Sequence, residues 1–308
     1  MPPEPPSKPA ASLWPYLILS AAPLCWAGNI VLARGVTDLI PPVAFAFWRW
    51  SLAFVLILPF TLRQIAADRH AIARGWKMLL LLSLLGISTF NTLLYTAVHT
   101  TTAINGALIQ STMPAVIVLL SLMLYRERAA ARQMAGVVVC LLGAVLIVLR
   151  GELKTLLAMS FVQGDLLMII AVAAYGLYSV LLRRRPPIHP LSLLAATFFL
   201  GAAGLLPLYL IERAALGPFT LSCDIVLSIL YVALFPSIVA YFCWNKGVDL
   251  LGPNRAGLFI NLIPAFASLL SVPLLGESIE LFHLGGMGLI LGGMLLFYLT
   301  PIKTTGAR

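Results

Sequence analysis

Acidic residues are scarce in this chain. Asp and Glu together number 11 in 308 residues, and none falls in the middle of a long apolar run. That argues against a buried carboxylate acting as a proton relay. It also leaves too few acids for the clustered Asp that hold Mg²⁺ against a diphosphate. HExxH is missing, as is the glycine-rich loop that grips ATP phosphates. Cys25, Cys140, Cys223 and Cys243 lie in or beside apolar stretches without a CxxC or a histidine cluster, so they read as packing residues rather than metal or redox groups. No cofactor and no metal is implied, and with no catalytic motif the chain does not read as an enzyme. Charge of either sign is thin, at 10% of residues against 61% hydrophobic. A soluble domain could not cover that much apolar surface.

What is present is a series of long apolar runs, with a mean hydropathy of +1.00. Runs of about 18 or more such residues read as membrane-spanning helices. Ten are bounded by Trp14–Val36, Pro41–Leu62, Lys77–Val98, Ala103–Leu124, Arg132–Leu149, Phe161–Leu182, Pro190–Ile211, Ile225–Gly247, Asn254–Leu275 and Leu281–Thr300. The expected fold is therefore an all-α integral membrane protein embedded in the lipid bilayer. The net charge of +9 does not point to nucleic acid, because its placement is topological. Fifteen Lys and Arg lie in the two tails and at or in the even-numbered loops, four at or in the odd-numbered loops, and only Arg49 lies away from the ends of a span. Cytoplasmic loops retain positive charge, which puts both termini inside. Residues 1–13 are Pro-rich and expected to be a disordered cytoplasmic tail; 301–308 form a second one. A cleaved leader is not expected, since Pro23 follows the one small-residue site that would suit cleavage.

The chain repeats itself. At an offset of 150, residues 106–149 and 256–299 share thirteen identities in forty-four positions. Pro114/Pro264, Glu127/Glu277, Gly136/Gly286 and Gly143/Gly293 are the matches that apolar bias does not explain. Two halves follow, 14–149 and 161–300, each with five helices. Five is odd, so the second half must cross the membrane in the opposite sense. Arg126, Arg128 and Arg132 of the first copy vanish from the second, and a single Arg34 becomes Arg183, Arg184 and Arg185. Inverted repeats of this kind build many secondary transporters, with the ligand site between the halves.

The motifs "WAGNIVLAR" (26–34), "FWRWSLA" (47–53), "NTLLYTAVHTTTAINGAL" (91–108) and "YFCWNKGVDLLGPNRAG" (241–257), with the paired Pro, Glu and Gly, carry a resemblance over nearly the whole chain. The sequence resembles the drug/metabolite transporter superfamily in its ten-helix EamA-type branch, and within it the YddG-like bacterial amino-acid exporters. That resemblance implies a bacterial inner-membrane exporter of small molecules. Aromatic and other neutral amino acids come first, and the dication methyl viologen is a further substrate. Transport would be by alternating access around a central cavity, and facilitative, because no midplane acid is available. A drug or polyamine carrier, or a lipid-carrier flippase of the same superfamily, stands as the alternative. Nothing points to an obligate protein partner.

Polar groups within spans face the bundle interior. Trp26 and Asn29 are three apart on helix 1; Asn91, Tyr95 and His99 make an i, i+4, i+8 stripe on helix 3. Asn105 and Thr112 share a face of helix 4. Tyr175 and Tyr178 lie on helix 6, Tyr241, Trp244 and Asn245 on helix 8, and Asn261 on helix 9. All but His99, which reads as a loop histidine, are the candidate substrate-binding residues; aromatic walls with a few amides suit a zwitterion with an apolar side chain. Pro114 and Pro264, at matching midpoints of helices 4 and 9, are candidate gating hinges. Arg49, Glu127 and Glu277 read as structural charges; for Arg49 the competing reading is contact with a substrate carboxylate.

Single cysteines at positions 128 and 184, in a background without native cysteines, are expected to react only from the cytoplasm, and one at Ser278 only from outside. Labelling of 128 and 278 from the same side would end the inverted-repeat reading.

Overall fold

The computed structural model describes residues 13–33, 39–97, 99–127, 129–157, 160–275 and 278–299. Arg34, Arg128 and Glu277 lie outside the described residues. Among the described residues, ten long helices form the bundle: α1 (Trp14–Ala33), α2 (Pro42–Arg74), α3 (Trp76–Ala97), α4 (Ile104–Tyr125), α5 (Ala131–Val148), α6 (Gln163–Arg184), α7 (Pro190–Leu216), α8 (Cys223–Leu251), α9 (Pro253–Pro273) and α10 (Leu281–Tyr298). By length and composition, α2 to α10 are each apolar enough to cross a membrane, and α1 contains no charged residue. Large apolar side chains such as Phe60, Ile211 and Leu291 point outward from the bundle, which only a lipid surround makes tolerable over so wide a surface.

Local sequence sets the ends. Pro42, Pro190 and Pro253 open their helices, where a missing N–H costs nothing. The Thr102 hydroxyl accepts from the Asn105 N–H at the head of α4, and Ser222 does the same for Ile225 at α8. Between α8 and α9 the turn is a single residue, Gly252, at φ 79°, a conformation that favours glycine. The largest departure from the hydropathy reading is at the end of α2. α2 continues past Leu62 for three more turns, because "RQIAADRHAIAR" holds no helix breaker before Gly75 and is solvated. Its Asp68 carboxylate accepts from the backbone N–H of His189 at the head of α7.

The helix pairings repeat under exchange of the halves. α2 packs on α7 and α5 on α10; α1 lies against α8 and α9, as α6 lies against α3 and α4. The two self-paired contacts fix the sense of the repeat. Phe47 stacks on Tyr209 with ring centroids 4.6 Å apart, while Trp50, further along α2, meets Phe198, further back on α7. Equivalent helices therefore run antiparallel, as inversion requires.

The α5–α10 crossing shows the same inversion at backbone range. A Cβ at Gly136 would sit 2.7 Å from the Gly293 carbonyl oxygen, and one at Gly143 would sit 2.6 Å from that of Gly286. Between these points the Cys140 thiol donates to the Ile290 carbonyl at 3.3 Å. The obstacles are backbone, so they cannot swing away. Gly143→Val is expected to lower the melting temperature in detergent by the equivalent of about 2 kcal/mol or more, in the range of overpacked cores. Gly288→Ala and Gly292→Ala, where a Cβ meets nothing within 4 Å, should leave it unchanged. Equal melting of Gly143→Val and wild type would dismiss the crossing as a structural constraint.

Candidate functional site

Between the halves lies a cavity of about 750 Å³. His99, Arg150, Glu152 and His283 stand at its mouth, at the end of the bundle opposite the arginine-rich loops. Trp26, Phe90, Tyr175 and Tyr241 make an aromatic floor, with Trp26 at 5.8 Å and 88° to Tyr175 and Phe90 at 4.8 Å from Tyr175. Beyond that layer the bundle is shut.

The closure is polar and specific. Tyr178 donates its hydroxyl to the Asn245 amide oxygen at 2.6 Å, and the Trp244 indole donates to Ser179 at 3.2 Å. At the arginine-rich surface, Arg183 pairs with Glu127 at 2.5 Å and Arg185 with Asp249 at 3.1 Å. Asn254 donates to the other Glu127 oxygen at 3.4 Å. The Arg183 and Arg184 guanidinium groups cover the Tyr125 ring, 5.4 and 5.2 Å from its centroid. The molecule is thus open at one end and latched at the other.

Six of the twelve candidate binding residues line the cavity: Trp26, Asn29, Asn91, Tyr95, Tyr175 and Tyr241. His99, read as a loop residue, also reaches it. The other six stand elsewhere. Tyr178, Trp244 and Asn245 form the closed layer. Asn261 is buried with neither amide atom bonded. The Thr112 hydroxyl is spent on the Ile109 carbonyl, and Asn105 on Asp165 at 3.0 Å. Asp165 also accepts from Thr101 and from the Val162 N–H, so its carboxylate clamps the head of α6 to the α3–α4 connection. Inverted symmetry accounts for part of the division. At an offset of 149, Tyr95 matches Trp244 and Asn29 matches Tyr178: the first of each pair is on the wall, the second in the plug.

Both prolines mark breaks. α4 is interrupted at Thr112, just ahead of Pro114, and a tight 3₁₀ turn over Leu258–Asn261 precedes Pro264. The two halves are interrupted differently at matching places.

One feature at the site escaped the sequence reading. α3 and α8 each contain a π-turn, Leu84–Thr89 and Ala233–Val239, at equivalent positions. Such turns loosen the helical ladder and release carbonyl oxygens, and here other side chains take them. Tyr241 donates to the Gly86 carbonyl at 2.5 Å. The Pro236 carbonyl accepts from Trp26 at 3.1 Å and from Arg49 at 3.0 Å. Gly86 and Pro236 inside apolar runs were the available signals.

Arg49 was read from the sequence as a structural charge, with contact to a substrate carboxylate as the competing reading. It is 3% exposed, yet it lines the cavity. Nε donates to Ser237 at 2.7 Å, and Nη1 donates to Tyr95 at 2.7 Å and Asn91 at 3.2 Å. Its guanidinium lies 4.9 Å from the centroid of Trp50. Among the described residues no carboxylate pairs with it.

A ligand-sized chamber between inverted helical repeats, open to one end and latched at the other, defines a membrane transporter. The EamA-like transporter family model matches residues 13–149 and again 162–299, and the chain belongs to that family. Relatives include the uncharacterized transporter YyaM of Bacillus subtilis, 25% identical over 91% of this chain and 92% of that one. An uncharacterized transporter of Archaeoglobus fulgidus is 27% identical over 94% and 97%. The fold matches a solved crystal structure with a TM-score of 0.75 at 20% identity, covering 94% of this chain and 98% of the other.

Exposed ion pairs contribute up to about 1 kcal/mol each, so the latch is a modest bias. Glu127→Gln is expected to raise the labelling rate of a cysteine at buried Val248 by up to about 5-fold, with reagent applied at the arginine-rich end. An unchanged rate would show that the Glu127 contacts carry no closing energy.

Proposed function

We propose that the protein exports small metabolites, aromatic and other neutral amino acids foremost, across a bacterial inner membrane with both termini in the cytoplasm. The observation that carries this reading is the aromatic-floored chamber, closed at the arginine-rich end and open at the other. Under the positive-inside rule the latched end faces the cytoplasm, so the structure is outward-open. In the reverse state the plug residues Trp244 and Tyr178 would take over the wall positions held here by Tyr95 and Asn29. The breaks at Pro114 and Pro264 are where the two halves would exchange their bends.

Among the described residues no carboxylate lines the chamber below its mouth, and Asp165, the buried acid at the head of α6, has both oxygens engaged. Transport is accordingly facilitative. In proteoliposomes, labelled phenylalanine is expected to equilibrate without a pH gradient and with the membrane potential clamped near zero. Accumulation that follows an imposed proton gradient would replace this reading with a coupled one; absence of any flux of phenylalanine, tryptophan or leucine would remove amino acids as the cargo.

A further inference from the structure

We infer that Arg49 anchors a carboxylate of the transported molecule, so that the chamber accepts acids and zwitterions and rejects cations that lack an acid group. The inference rests on the transporter reading above and names the charge its cargo must carry. A guanidinium stays protonated at any accessible pH. Arg49 therefore holds a full positive charge deep in the bundle, and every partner it has is neutral: the Ser237 hydroxyl, the Asn91 amide oxygen, the Tyr95 hydroxyl and the Pro236 carbonyl. Buried cations are ordinarily paired with an acid, and among the described residues none is offered.

The donors add up in a particular way. A guanidinium has five N–H groups, and four are used, leaving one on Nη2. Tyr95 accepts from Nη1 and keeps its own proton to give; its ring lines the chamber at 8% exposure. One N–H and one O–H beside a fixed positive charge suit the two oxygens of a carboxylate. The geometry is held in advance. The Asn91 amide nitrogen donates to the Ile87 carbonyl at 2.8 Å, which turns its oxygen toward Arg49. The Tyr175 hydroxyl, on the same floor, is buried without a partner and supplies a further polar contact. At the mouth Arg150 and Glu152 oppose each other in sign, so Arg49 sets the sign of the potential at the floor. A dication such as methyl viologen would meet that charge with nothing to offset it.

The competing account makes Arg49 a strut between α2 and the π-turn of α8. A strut is indifferent to whether a ligand carries an acid, and that difference is measurable. Isothermal titration of the full-length protein in nanodiscs would compare L-phenylalanine, phenylacetate, L-phenylalaninamide and methyl viologen. Phenylalanine and phenylacetate are expected to bind at least about 10-fold more tightly than the amide, the effect of a charge-assisted hydrogen bond, and methyl viologen not at all. Tyr95→Phe, which removes one hydroxyl and leaves the ring, should weaken the two acids several-fold and leave the amide unchanged. Arg49→Lys should weaken both acids, because an ammonium keeps the charge but not the fork.

Equal affinity for phenylalanine and its amide, binding of methyl viologen as tight as that of the acids, or no binding of either acid would overturn the anchor. Binding of phenylacetate but not phenylalanine would uphold the anchor and remove amino acids as the cargo. Equal transport of phenylalanine and its amide would do the reverse.

Discussion

A proline in a membrane helix leaves a carbonyl without its donor, and in hydrocarbon no water can take the donor's place. Pro236 in α8 creates that deficit, and its resolution organises the centre of the molecule. The Ser237 hydroxyl donates to the Val232 carbonyl at 2.7 Å, and the Ser237 oxygen itself accepts from Arg49 Nε. The Pro236 carbonyl, released by the π-turn, draws in Trp26 from α1 and Arg49 from α2. Tyr241, one turn further along α8, reaches the equivalent π-turn of α3. Four helices are thus tied by backbone atoms that an uninterrupted ladder would have kept to itself. The aromatic floor exists because these donors converge there.

Much of this was written in one dimension. Spans, the internal repeat and its inversion follow from hydropathy, from paired Pro and Gly, and from which loops hold arginine, and no tertiary contact is needed to see them. The polar stripes were legible as faces. Which end of each stripe would meet the chamber was not, because Tyr95 and Trp244 occupy equivalent positions and only the conformation separates them. The π-turns were missed for another reason. An i→i+5 register is unfavourable in isolation and survives only where distant side chains, here Trp26, Arg49 and Tyr241, take the released oxygens. Arg49 itself was visible as a charge in an apolar run. That its partners would all be neutral could only be seen once α2, α3 and α8 were brought together.

Energy is distributed unevenly between the two ends. The latch at the arginine-rich surface consists of partly exposed ion pairs and a long amide contact, each weak and solvent-screened. The α5–α10 crossing, by contrast, is fitted at backbone range around Gly136, Gly143, Gly286 and Gly293. On the proposed alternating-access reading, opening the arginine-rich end would break the weak surface latch and the buried Tyr178–Asn245 and Trp244–Ser179 hydrogen bonds, while the α5–α10 crossing could stay packed.

The glycine contacts between α5 and α10 also bear on descent. After a duplication, the two copies can drift apart wherever each residue has neighbours of its own. At this crossing each copy is the other's neighbour: a side chain gained at Gly143 collides with the backbone at Gly286, and one gained at Gly136 with that at Gly293. Neither copy can diverge there without cost to its twin. The crossing has the shape of two identical helices lying antiparallel, the contact a half-length ancestor would make with an upside-down copy of itself, now held within one continuous chain.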